Sequence, residues 1–123
     1  MNKETEIEKI ESVDIKSNTN PSESQVKELE KKHGKLTKVK VQDKDNEEES
    51  QYFYFKQPSL SILRLAQKEL VKSRDTVAYG EIIIKNCIVN GVEAVLADEE
   101  IMIALLPLAD EFTTTKIATI EKN

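Results

Sequence analysis

Tyr52-Phe53-Tyr54-Phe55 places four aromatic residues in a row, and Lys56-Gln57-Pro58-Ser59 follows at once. A run of rings favours a pleated strand with packed neighbours on at least one face. Pro58 lacks the backbone donor that a continuing ladder needs, so the strand must stop there. Ser59 then has the side chain of a helix N-cap. The stretch from Tyr52 to Gly91 holds five of the six aromatic residues, and the remaining elements must pack around it.

Upstream, Thr37, Val39 and Val41 alternate with Leu36, Lys38 and Lys40, the period of a half-buried strand. The polar residues 43–50 read as a turn, so 36–56 reads as a β-hairpin. A lone two-stranded hairpin is barely stable and has to lie on something else. Downstream, Leu60, Ile62, Leu63, Ala66, Leu70 and Val71 form one broad helical face, while Leu65 falls among the polar residues. After Ser73-Arg74 a second helix is expected from Thr76 to Asn90. It is capped by Asp75, is apolar almost all round, and is stopped by Gly91 as its left-handed residue. Residues 92–97 read as a connector. Asp98 then caps a third helix, with Glu99 and Glu100 in its first turn where the helix dipole favours carboxylates. Pro107 should kink or end it. The expected fold is α+β and mostly helical: an N-terminal β-hairpin packed on a three-helix bundle, forming one small domain over residues 35–123.

Residues 1–34 read as a flexible polar segment. Ile7, Ile10 and Val13 are sparse apolar positions, and Ser17-Asn18-Thr19-Asn20-Pro21 breaks any helix begun there. Ser22 and Gln25 have capping-box spacing, so a short helix from Gln25 to Lys32 is the local alternative. Folding against a partner is the other. Residues 1–20 lack the apolar core of a secretory signal, and the apolar run Ile101–Ala109 is about half of a bilayer-spanning helix. A soluble intracellular protein is expected.

The chain carries 33% charged residues and a net charge of −5. Acidity of that order disfavours attraction to nucleic acid and anionic membrane. The aromatic strand has the look of a base-stacking platform, but Glu47-Glu48-Glu49 precedes it and repels phosphate. One cysteine excludes an internal disulfide, and His33 and Cys87 make no metal-binding spacing. Asp43, Asp45 and Glu47–Glu49 lack the glycine and closing glutamate of a calcium loop and read as a solvated turn. Cys87 sits among isoleucines, the setting of an inert thiol. No phosphate-cradling glycine cluster or nucleophile elbow is present. No catalytic residue, metal, cofactor or small-molecule substrate is expected, and the functional class points to protein binding.

What remains is surplus apolar surface. Leu65, the Tyr79/Ile82/Val89 side of the second helix, and Ile101 and Leu105 on the third exceed what one helical layer buries. Large contiguous apolar patches are rare on monomers. The hairpin covers this surplus, or a second copy or another polypeptide does.

The order of parts resembles that of the small tail assembly chaperones of tailed bacteriophages. The residues that carry the likeness are Lys56–Ser59 after the aromatic strand, Leu65–Leu70, Ile84–Gly91, and Leu96–Glu100 opening an apolar helix. It spans about residues 35–112. The resemblance implies a non-enzymatic protein in the host cytoplasm that coats apolar helical segments of the tape-measure protein and recruits tail tube subunits. The competing expectation is a small adaptor or decoration protein retained in the virion. An acidic mimic of nucleic acid ranks lower because acids and lysines alternate.

Overall fold

A computed structural model describes residues 15–113 and 118–122. Ile7, Ile10 and Val13 lie outside the described residues. The order of elements is α1 (Glu23–His33), β1 (Leu36–Asp43), β2 (Asn46–Lys56), α2 (Leu60–Ser73), α3 (Thr76–Cys87), α4 (Val92–Ala97), α5 (Glu99–Leu105) and a 3-10 helix (Leu106–Thr113). The α+β, mostly helical expectation therefore holds.

β1 and β2 form an antiparallel hairpin that pairs Thr37 with Phe55, Val39 with Phe53 and Val41 with Gln51. This register sends Phe53 and Phe55 into the core beside Val39. Across the sheet Lys38 and Lys40 pair with Tyr54 and Tyr52. The Lys38 ammonium sits 4.7 Å from the Tyr52 ring centre, a cation–π contact. Tyr54 is buried as well, so three of the four rings are withdrawn from water.

The caps follow the sequence. Ser22 and Gln25 close a reciprocal capping box on α1, which has no fully buried residue. Ser59 caps α2, and Asp75 accepts from the amides of Val77 and Ala78 at the start of α3. Asp98 accepts from the Glu100 amide at 3.0 Å.

Three boundaries differ from expectation. Residues 43–50, expected as a turn, are mostly strand, since β1 runs to Asp43 and β2 starts at Asn46. α3 ends at Cys87, before Asn90, because residues 88–90 leave the helix and run along the free edge of β2. Ile88 bridges Phe55, and the Val89 amide donates to the Tyr54 carbonyl at 2.9 Å. Gly91 is left-handed as expected (φ 67°), but it opens α4 instead of closing α3. A Cβ at Gly91 would sit 2.9 Å from the Phe53 ring, so the position needs both the conformation and the space. The expected connector 92–97 is thus a short helix with Val95 buried.

Asn90 ties these pieces together. Its side chain is 1% exposed. It accepts from the Tyr54 amide at 2.7 Å and donates to the carbonyls of Tyr52 (3.0 Å) and Asn18 (2.8 Å). The Gly91 amide also donates to the Ile15 carbonyl, and the Tyr52 amide to the Thr19 carbonyl, both at 2.8 Å. Residues 15–19, expected to belong to a flexible segment, are therefore hydrogen-bonded to the domain. An apolar-pattern reading has no means of seeing this, because the bonds are made by backbone groups.

At the other end Pro107 coincides with the change from α-helix to 3-10 helix. Ala109 and Phe112 then enter the core, where Phe112 stacks on Phe55.

Candidate functional site

The six residues expected to form a binding surface do not share one face. Ile101 and Leu105 are core residues at 7% and 0% exposure. The Asp98 cap fixes the register of α5, and Ile101 and Leu105, one turn apart, both point inward. They are not surface residues, which corrects the expectation. Ile82 is partly buried against the core. Val89 is half-buried, its backbone engaged with β2. Leu65 is 53% exposed on α2, as its place among polar residues predicts. Tyr79 lines an apolar groove.

Two adjacent apolar hollows lie along α3 and together make up this groove. One has a volume of about 270 Å³ and lies between α3 and the α4–α5 pair, with Val77, Leu96, Met102, Ile103 and Leu106 among its lining. The other, of about 480 Å³, lies between α2, α3 and the 3-10 helix, with Leu70, Tyr79, Gly80 and Ala109 in its walls. Val77 and Leu106 line both and stand between them. Leu96 is 60% exposed and Ile103 63% exposed, and Val77 is open to solvent too. Gly80 lets the 3-10 helix come close, since a Cβ there would meet the Leu106 side chain at 2.8 Å.

The polar edge of the groove is sparse. Glu81 and Lys85 pair at 3.2 Å along the wet strip of α3. Burial raises the Tyr79 hydroxyl above its ordinary pKa, and the charge of Asp110 and a hydrogen bond to it act in the same direction. A hydrogen bond with Gln67 opposes them. Tyr79 thus keeps its proton and presents an apolar ring with one anchored polar tip. An arrangement of this kind grips aliphatic side chains and orients them by a few polar contacts.

Sequence reasoning missed Leu96 and Ile103. The signal was present: Ile103 lies two residues from both Ile101 and Leu105, on the opposite side of a helix whose register Asp98 sets. Leu96 was hidden in a segment read as connector.

The thiol of Cys87 is buried, and burial pushes it up to about 11 against a smaller opposing effect of Lys56. Among the described residues no group of three or more His, Cys, Asp or Glu side chains is placed to hold a metal ion. No helix among them is long and apolar enough to cross a membrane.

The fold is similar to that of a solved structure of an uncharacterised protein from Bacillus stearothermophilus. The two share 25% identity over 79% of this chain and 99% of that one, with a TM-score of 0.51. No protein-family model matches the chain, and no curated protein matches it.

Proposed function

We propose that this chain is a non-enzymatic tail assembly chaperone of a tailed phage, acting in the host cytoplasm, whose client is an apolar helical segment of a tape-measure protein. The observation that supports this reading is the pair of adjacent apolar hollows along α3, with Val77, Leu96 and Ile103 left open to solvent. An amphipathic helix laid in such a groove buries side chains at i, i+3, i+4 and i+7. Many copies along one long helix gain from avidity, so a weak single-site affinity is sufficient. Recruitment of tail tube subunits then follows from coating the template.

The test is binding of the purified chain to peptides that tile a tape-measure protein, read by fluorescence anisotropy. Leu96→Asp combined with Ile103→Asp places two charges in the groove at exposed positions, so the fold should be kept. The affinity should fall by at least about tenfold, the effect of roughly 1.4 kcal/mol, while circular dichroism stays helical. Unchanged affinity in the double variant sinks the groove assignment. A stoichiometric amount of the chain in purified virions sinks the chaperone reading in favour of a retained structural subunit.

A further inference from the structure

The hollow between α3 and the α4–α5 pair is apolar, and Val77, Leu96 and Ile103 in its walls are open to solvent. One end of it lies close to where the described chain begins. The Gly91 amide donates to the Ile15 carbonyl at 2.8 Å. The Gly91 carbonyl in turn accepts from the Val95 amide, and Val95 lines the hollow. Residues 1–14 therefore join the domain about one helical turn of α4 away from that wall.

The sequence of this segment suits the hollow. Apart from Met1 its apolar residues are Ile7, Ile10 and Val13. Residues 15–17 are helical, and helical backbone carried back from them puts Ile7, Ile10 and Val13 in an arc of about 120°. Between Ile7 and Val13 no polar residue shares that arc, since Glu8, Lys9, Glu11 and Ser12 all fall outside it. From Ile7 to Val13 such a helix rises about 9 Å, against about 12 Å from Val77 to Lys85 along the α3 wall.

We propose that residues 1–14 fold back along α4 and lay Ile7, Ile10 and Val13 on Val77, Leu96 and Ile103, so that the free chain covers its own client site. The tether makes a weak contact sufficient. At an effective concentration of about 1 mM, an affinity of about 0.1 mM keeps the segment docked roughly nine-tenths of the time. A client must displace the segment, so its apparent affinity is reduced by the fraction of chains left open. The competition rests on the reading of the groove as a client site; the docking does not.

Nitroxide broadening of methyl resonances in the full chain is the measurement. Glu8 lies opposite the apolar arc, so Glu8→Cys carries the nitroxide outward, while the buried Cys87 thiol stays unlabelled. The resonances of Val77, Leu96 and Ile103 should broaden, and should sharpen when Ile7→Asp and Ile10→Asp are added. Without the label, the same two changes should raise affinity for a tape-measure peptide about tenfold, because nearly all chains are then open. Sharp resonances in the labelled chain that keeps Ile7 and Ile10 overturn the proposal, as does broadening that survives both changes. Broadening in a mixed sample, with nitroxide on one copy and isotope on another, puts the segment in a neighbour's hollow and overturns docking within one chain. Equal peptide affinity with and without the two changes, despite broadening, overturns the competition. If broadening appears and the peptide binds neither form, the docking stands and the client reading fails. If peptides bind and no broadening is seen, the docking fails and the client reading stands.

Discussion

The rings of Phe55 and Phe112 stack with their centres 4.0 Å apart and their planes 8° from parallel. One ring comes from the last residues of the hairpin and the other from the 3-10 helix near the end of the described chain. The contact therefore closes the core across the full length of the domain. Both rings are essentially inaccessible to water. Phe112→Ala removes a large buried side chain and leaves a cavity against Phe55, at a cost of about 3–5 kcal/mol. Urea unfolding should show this as a lower midpoint with an unchanged slope. Phe55→Ala together with Phe112→Ala should cost less than the sum of the single changes, because the two share one contact.

Asn90 is the second point of closure, and it acts through hydrogen bonds in place of area. Truncation to alanine leaves the Tyr54 amide and the carbonyls of Tyr52 and Asn18 without their partner. The Tyr54 amide is the buried one of the three, and a buried orphan group costs about 1–3 kcal/mol, so Asn90→Ala should lose at least about 1 kcal/mol. Hydrogen exchange gives the sharper readout, since the Tyr54 amide should lose protection beyond the global change in stability. Asn90→Asp is no rescue: its carboxylate accepts from Tyr54 but donates to neither carbonyl. If Asn90→Ala proves neutral, water has taken over these bonds and the closure does not depend on the side chain.

The contrast between these two contacts explains what was legible in the sequence. Alternation in 36–41 and the aromatic run located the hairpin because one face of a sheet must be buried and side chains alternate with period 2. Ser22, Ser59, Asp75 and Asp98 marked helix starts because short oxygen-bearing side chains satisfy orphan amides there. Asn90 followed by Gly91 has the chemistry of a helix stop, and it was read as one. Its real partners are backbone groups of residues 18, 52 and 54, far away in sequence, which no local pattern reveals. The groove suffered in the same way. Ile101 and Leu105 looked like spare surface. A helical continuation over Leu108–Phe112 in a new direction could be expected after Pro107, but not that it would bring Ala109 and Phe112 over the core.

Cys87 offers a probe of opening. With its thiol pushed up to about 11, only about a thousandth is thiolate at pH 8, roughly a hundredfold less than for a thiol at the ordinary 9.0. The thiolate is the reactive form. Alkylation by iodoacetamide should therefore be at least about a hundredfold slower in the native protein than in urea, with burial slowing it further. Native-state labelling that matches the unfolded rate would place Cys87 at the surface.

His33, at the end of α1, links stability to pH. Burial lowers its pKa below 6.5, and the charges of Lys56 and Lys32 add to the effect. The folded chain therefore resists the proton that the unfolded chain accepts. Above the unfolded value of 6.5 the imidazole is neutral in both states and contributes nothing to pH dependence. As pH falls through 6.5 the unfolded state takes up its proton first, so stability drops. The drop levels off once pH is below the folded value. His33→Gln removes the titration and should flatten the stability profile between about pH 7.5 and 5.5, a window above the carboxylate range. Urea midpoints of the two proteins should diverge as pH rises: whatever offset the substitution produces at the acid end shifts in favour of the wild type towards neutrality. Parallel profiles would mean that His33 titrates alike in both states, and that α1 does not hold it near Lys56.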